Sequence, residues 1–281
     1  MIIFKHPADI SSVLLAKRNA GHSTGFVPTM GALHSGHLAL VSRARSENQL
    51  VICSIFVNPT QFNDPKDFEN YPSSVENDIL VLEKIGCDVL FIPSVDDIYP
   101  KGINSARHYN LGTLENMLEG KYRPGHFQGV CQVVNRLLEI VMPNTLYLGQ
   151  KDLQQCQVLK KLVTLENIKT EIVICPTLRE PDGLAMSSRN LRLNEGDRKK
   201  APAIYKALLS IKNTITMGDT TPFKKEAAGL LMNEGFNVDY VEIVNAATLE
   251  IVQKWDGNTP LAALAAAYLN EVRLIDNIIL K

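Results

Sequence analysis

Cysteine is scarce and poorly spaced in this 281-residue chain. The five thiols, Cys53, Cys87, Cys131, Cys156 and Cys175, are odd in number, scattered, and never form a C-x-x-C pair. That excludes a disulfide framework and the usual zinc motifs. Most of them sit inside apolar runs, as buried reduced thiols of a cytoplasmic protein would. An excess of one charge is also missing. With 29 basic and 30 acidic residues the net charge is −1, so neither a nucleic-acid-binding face nor a polybasic membrane patch is expected. No apolar run reaches the roughly 18 to 20 residues of a membrane helix. Met1-Ile2-Ile3-Phe4-Lys5-His6-Pro7 lacks the basic and long apolar segments of a secretion signal. What remains is 45% hydrophobic and 21% charged residues, a globular balance with ample core and room for one large or two ordinary domains.

Through about residue 176 the sequence alternates short apolar strands with helical patterns. Strands are expected at Phe26–Pro28, Leu50–Val57, Asp88–Pro93, Thr145–Gly149 and Lys169–Pro176. Helices are expected from His34 to Arg45, Asn77 to Ile85, Gly129 to Val141 and Leu153 to Leu162. Leu50–Val57 is continuously apolar, the mark of a strand buried on both faces. This rhythm argues for an α/β fold with a Rossmann-like, doubly wound parallel sheet over residues 1–176. From 177 to 281 the texture changes to a smaller α+β domain. A polar stretch to Asn194 is followed by helices over 196–217 and 222–233 and by strands at 238–244 and 272–280. The alanine-rich segment 260–269 reads equally as strand or helix.

In a parallel sheet of this kind ligands gather at the carboxyl ends of the strands, and five blocks fall there or in the loops. Met30-Gly31-Ala32-Leu33-His34-Ser35-Gly36-His37 joins a strand to a helix start. The unpaired N–H groups at such a start favour phosphate, and two imidazoles three residues apart can donate to developing charge. The bland reading of the pair is helix capping. Asn58-Pro59-Thr60-Gln61 ends a strand on proline, and the Gln61 amide, able to donate and accept, suits a hydroxy-acid. Arg123-Pro124-Gly125-His126-Phe127 offers an anion contact. Gly149-Gln150-Lys151-Asp152, with Gln154 and Gln155 beyond, places a lysine between a strand end and a helix start. Met186-Ser187-Ser188-Arg189-Asn190 carries two hydroxyls and a guanidinium that could close over a triphosphate.

In order and spacing these blocks resemble the pantothenate synthetase family of the nucleotidyltransferase superfamily, which shares the H-x-G-H signature with class I aminoacyl-tRNA synthetases. The resemblance runs over most of the chain. It implies that ATP and (R)-pantoate form pantoyl adenylate and diphosphate, and that β-alanine then displaces AMP to give pantothenate. It further implies that Met30 to His37 bind ATP. His34 and His37 would stabilise charge on the α-phosphate, because a departing diphosphate bound to Mg²⁺ needs little protonation. Gln61 and Gln155, with Asn58 and Arg123, would hold pantoate. Gly149, Gln150, Lys151 and Asp152 would contact ATP, Leu178 would meet adenine, and Met186, Ser187, Ser188 and Arg189 would clamp the triphosphate. His37, His34, Lys151 and Arg189 are thus the catalytic candidates. Mg²⁺ would bridge phosphate oxygens, with Asp78 as the one protein ligand to consider. A cytoplasmic homodimer, without nucleic acid or membrane, is also implied. The chain departs from the K-M-S-K-S loop of tyrosyl-type synthetases, since Ala185 precedes Met186 and Arg189 takes the basic position.

Three other readings compete. A nucleotidyltransferase for a phosphorylated acceptor would need neither the Asn58–Phe62 block nor residues 177–281. An idle nucleotide-binding module would have no physical need for His34, His37, Lys151 and Arg189 together. A tRNA synthetase fragment would need a nucleic-acid face that the charge balance does not supply.

Overall fold

Five apolar runs become adjacent strands of one parallel sheet, and a sixth strand joins them at an edge. The computed structural model describes residues 1–63, 65–103 and 107–280. The strands are β1 (Ile2–Phe4), β2 (Thr24–Thr29), β3 (Leu50–Ile55), β4 (Val89–Phe91), β5 (Thr145–Gly149) and β6 (Glu171–Cys175). They lie in the order β1-β4-β3-β2-β5-β6, and every pair is parallel. β3 is buried along its whole length, as its unbroken apolar run requires. The chain steps outward from β2 through β3 to β4, then crosses back to place β5 on the other side of β2. The order therefore reverses between β2 and β5, the switch point at which α/β sheets bind ligands.

The helices of this region are α1 (Pro7–Asn19), α2 (Ser35–Glu47), α3 (Pro65–Glu69), α4 (Val75–Lys84), α5 (Val95–Ile98), α6 (Glu119–Tyr122), α7 (His126–Val141) and α8 (Leu153–Leu165). Gly86, at φ +81°, ends the α4 segment as expected of a left-handed glycine after a helix. α7 begins three residues before the expected Gly129. Its glycine is needed for packing, because a Cβ there would collide with the Thr60 carbonyl. Besides the short helices α3, α5 and α6, the elements outside the sequence-based expectation here include β1, only three residues long with Ile2 and Ile3 exposed, and the weakly amphipathic α1. The thiols behave as expected. All five cysteines are buried and reduced, and burial pushes Cys87 up to about 11 and Cys131 up to about 12.

The chain divides into two compact units, Met1–Gly149 with Val158–Pro176, and Gln150–Gln157 with Thr177–Lys281. The second contains α9 (Glu195–Lys200), α10 (Ala203–Thr214), α11 (Thr221–Asn233) and the strands β7 (Gly218–Asp219), β8 (Asn237–Asn245), β9 (Lys254–Trp255), β10 (Leu261–Leu269) and β11 (Val272–Ile279). The expected helix over 196–217 is broken in two at Ala201-Pro202, where proline has no N–H to continue the ladder. The ambiguous alanine segment is a strand. β10 is the centre of the antiparallel sheet β11-β10-β8, and Leu261, Ala263, Ala265, Ala267 and Leu269 share a core with α10 and α11. Alanine favours helix in isolation, but pairing on both edges and burial of the small side chains override that preference.

Candidate active site

The turn after β2 is built by backbone geometry and one buried carboxylate. Gly31 (φ +82°) and Ala32 (φ +48°) are consecutive left-handed residues, unusual for alanine and costly unless held. Asp78, at the start of α4 and fully buried, accepts the Ala32 and Leu33 amides at 2.8 Å each. Ser74 Oγ donates to the same carboxylate at 3.1 Å. Thr29 Oγ1 accepts the Gly31 amide at 3.2 Å and donates to the Ser54 carbonyl at 2.7 Å. The turn is thus clamped from two neighbouring segments, and α2 starts from a fixed position.

His34 is the N-cap of α2, and the two histidines form a reciprocal capping box. His34 Nδ1 accepts the Gly36 amide at 3.1 Å, and His37 Nδ1 accepts the His34 amide at 3.4 Å. A backbone N–H can only donate, so both Nδ1 atoms are lone-pair nitrogens and each neutral ring carries its proton on Nε2. The rings lie 4.0 Å apart between centroids, tilted by 31°. Capping and ligand recognition are therefore not rival explanations of this motif. The caps fix the tautomer in which each ring carries an Nε2–H donor at the positive end of a helix.

A second cluster forms around the short 3₁₀ turn Pro59–Gln61 that follows β3. Asn58 is buried. Its Nδ2 donates to the Gly129 carbonyl and to Gln61 Oε1, both at 3.1 Å. Its Oδ1 accepts from Tyr99 OH at 2.7 Å and from Thr60 Oγ1 at 3.1 Å. Gln61 Nε2 donates to Met30 Sδ at 3.1 Å, which brings this loop to the turn after β2. The Gln61 carbonyl accepts from His126 Nδ1 at 2.7 Å and from Arg123 Nη2 at 3.3 Å. Arg123 Nη1 also meets His126 Nε2 at 3.1 Å and Glu119 at 3.8 Å. The Arg123 guanidinium, expected to offer an anion contact, is turned onto protein acceptors here and supports the Gln61 main chain. Sequence reasoning misses Tyr99, and it gives His126, inside the Arg123–Phe127 block, no role of its own. Tyr99 lies 41 residues from Asn58 in the chain, and no local pattern links them.

Gly149 ends β5 in the first unit, and the remaining candidates belong to the second. Gln150–Asp152 is a 3₁₀ turn held by Asn277 of β11. Asn277 Nδ2 donates to the Gln150 and Lys151 carbonyls at 2.8 Å each, and its Oδ1 accepts Gln150 Nε2 at 3.2 Å. Asn277 is 2% exposed, and no sequence pattern points to its role. Lys151 Nζ lies 3.7 Å from Asp152. Gln155 is partly exposed on the first turn of α8, with Gln154 buried beside it. Residues 178–186 form a small hairpin. The Leu178 carbonyl accepts the Met186 amide at 3.0 Å, and Arg179 bridges Ala185. The Leu178 side chain is exposed. Arg179 forks onto the buried Asp276 at 2.6 and 3.0 Å and stacks on Tyr205 at 3.8 Å. Ser187 Oγ accepts the Arg189 amide at 3.3 Å and caps a 3₁₀ helix, Ser188–Arg192, in which Ser188 is buried. This part of the polar stretch is therefore a capped turn.

Asp78 does not fit a metal. Both of its oxygens are committed to backbone amides in a buried pocket, so neither is presented to a cation. Among the described residues no group of three or more His, Cys, Asp or Glu side chains could hold an ion, and no helix is long and apolar enough to cross a membrane.

A profile of the pantoate–β-alanine ligase family matches residues 2–279. Pantothenate synthetase of Cytophaga hutchinsonii is 45% identical over 270 residues, covering 95% of each chain. The crystal structure of pantothenate synthetase from Thermus thermophilus superposes with a TM-score of 0.90 at 40% identity, covering 99% of both chains. That of pantoate–β-alanine ligase from Francisella tularensis, complexed with β,γ-ATP and β-alanine, gives 0.83 at 41% identity, covering 99% of this chain and 97% of the other.

Proposed function

The chain belongs to the pantoate–β-alanine ligase family, and on that basis we propose how its residues carry out the ATP-dependent joining of pantoate to β-alanine. The enzyme condenses (R)-pantoate with β-alanine to give pantothenate, AMP and diphosphate. In the first half-reaction a pantoate carboxylate oxygen attacks the α-phosphorus of ATP. A P–O bond forms, the bond to the bridging oxygen breaks, and diphosphate leaves with that electron pair. In the second, the amine of β-alanine attacks the acyl carbon, loses a proton, and expels AMP.

The capped His34–His37 pair carries this reading. Two neutral Nε2–H donors at the start of α2 would meet the negative charge that builds on the α-phosphate oxygens in the transition state. A neutral imidazole is a weak acid, so the pair stabilises charge rather than donating a proton to the leaving group. Main-chain groups of Met30 to His37 would receive ATP at the switch point of the sheet. Gln61, oriented by Asn58, and Gln155 would hold pantoate. Gly149 to Asp152 and Met186 to Arg189 would bind the nucleotide, with Lys151 and Arg189 neutralising its phosphates and Leu178 against adenine. Mg²⁺ would enter on the substrate, as its ATP complex, because the Asp78 carboxylate is occupied by Ala32 and Leu33. Residues 1–176 would form the catalytic domain and 177–281 the smaller domain that carries the Met186–Asn190 loop. A cytoplasmic homodimer completes the proposal.

ATP–diphosphate exchange with (R)-pantoate and Mg²⁺, leaving out β-alanine, tests the adenylate. Exchange that depends on pantoate is expected. No exchange from a sample that still binds ATP would refute the two-step scheme.

A further inference from the structure

Gln61 has an amide whose two ends are chemically different but nearly equal in shape, and its surroundings decide which end meets the substrate. The decision is traceable atom by atom. The Gly129 carbonyl can only accept, so the Asn58 atom 3.1 Å from it is the amide nitrogen. The Thr60 backbone N–H, 3.4 Å away, can only donate, so the other Asn58 atom is the oxygen. Asn58 therefore offers an N–H to Gln61, and the Gln61 atom 3.1 Å away is Oε1. That turns the Gln61 NH₂ outward, where it lies 3.1 Å from the weakly accepting sulfur of Met30. The shortest bond of this relay is Tyr99 OH to Asn58 Oδ1, at 2.7 Å, with Thr60 Oγ1 3.0 Å from the same phenol. Tyr99 is 7% exposed.

We infer that Tyr99 is a positioning residue that anchors Asn58, whose polarity the Gly129 carbonyl and Thr60 N–H set, in the place where it orients the Gln61 amide, so that Gln61 meets pantoate as a hydrogen-bond donor. The inference rests on the pantoate-binding role proposed above for Gln61 and narrows it to an amide that presents its NH₂ end outward, with its oxygen turned to Asn58. Burial pushes the Tyr99 phenol up from its ordinary value, so it keeps the proton it gives to Asn58 across the working pH range. The main chain of Gln61 is held separately by His126 and Arg123. Removing the phenol therefore loosens the amide without releasing the loop. The chemistry this selects is an oxygen acceptor, either the carboxylate or a hydroxyl oxygen of the acid substrate. An acid that offered an N–H or O–H hydrogen at this position would find no partner and be rejected.

Tyr99→Phe keeps the ring and deletes only the hydroxyl. Steady-state exchange should show the KM for pantoate raised about tenfold, with the KM for ATP and the melting temperature little changed. Gln61→Glu provides an independent reading that does not depend on Tyr99→Phe folding. Its outward oxygen is an ionised acceptor at neutral pH, and kcat/KM for pantoate should fall about a hundredfold or more while ATP still binds in calorimetry. An unchanged pantoate KM in Tyr99→Phe, or an equal rise for ATP and pantoate, would overturn the positioning role. Gln61→Glu that used pantoate as well as wild type would overturn the polarity. Absence of pantoate-dependent exchange in the wild-type enzyme would instead overturn the assigned reaction.

Discussion

Replacing Asp78 by asparagine tests how the turn before His34 is held. The carboxylate accepts two main-chain amides at 2.8 Å in a fully buried position. Asparagine keeps one acceptor oxygen and turns an NH₂ toward the other amide. One charge-assisted bond is lost and a buried N–H is left facing a donor. Hydrogen bonds to charged groups contribute about 1.5–3 kcal/mol, and an unpaired buried group costs about 1–3 kcal/mol, so a net loss of about 2–4 kcal/mol is expected. The left-handed Ala32 adds to the cost, because its strained φ of +48° is tolerated only while the clamp holds. For a unit of this size that loss lowers Tm by roughly 5–15 °C in a thermal melt. The turn sets where α2 and its two histidines begin, and a shift of about 1 Å in a reacting group can cost on the order of 10²-fold in rate. Assayed at about 20 °C, well below the lowered midpoint, Asp78→Asn should show kcat reduced by about that factor and the KM for ATP affected less. An unchanged Tm and kcat would refute the clamp. Activity restored by raising Mg²⁺ alone would refute it differently, by making Asp78 a metal ligand.

Other parts of the chain offer further tests. His37→Ala should lower the rate of pantoate-dependent exchange by about 10²–10³-fold, the cost of one transition-state donor, with ATP affinity within a few-fold of wild type; unchanged turnover would remove His37 from the mechanism. Asn277→Ala deletes both bonds that hold the Gln150 and Lys151 carbonyls; it should destabilise the protein by about 2–4 kcal/mol in denaturant unfolding and raise the KM for ATP, since Lys151 loses its support. Asp256 accepts the Asn258 and Thr259 amides, and these bonds lower its pKa in the folded state. Its contribution to stability is therefore present above its unfolded value, about 3.9, and disappears as pH falls through the lower folded one. The Tm of Asp256→Asn should lie below wild type at neutral pH and converge with it in acid; a gap independent of pH would refute the assignment.

Hydrophobic periodicity makes the parallel sheet legible because each core strand is an apolar run of its own. β2, β3, β4, β5 and β6 all coincide with such runs. β1 does not stand out because three residues with an exposed face carry almost no pattern. β10 is ambiguous because alanine fits both a helix and a buried central strand, and only pairing with β8 and β11 decides between them. At the site the histidine spacing is readable, since a capping box and a donor pair need the same i, i+3 arrangement. The polarity of Gln61 is not, because it is set through Asn58 by the Gly129 carbonyl, 68 positions away from Gln61.

Local spacing and the chemistry of single side chains were enough to specify the fold class, the placement of the H-x-G-H turn at a helix start and the residue types suited to phosphate. The folded chain was needed to show that Asp78 clamps a turn instead of holding a metal, that Arg123 supports a backbone carbonyl, and that Asn277 anchors the Lys151 turn. A carboxylate, a guanidinium or an amide has the same donors and acceptors wherever it sits. What it does is set by which distant backbone groups the fold leaves unpaired within about 3 Å of it.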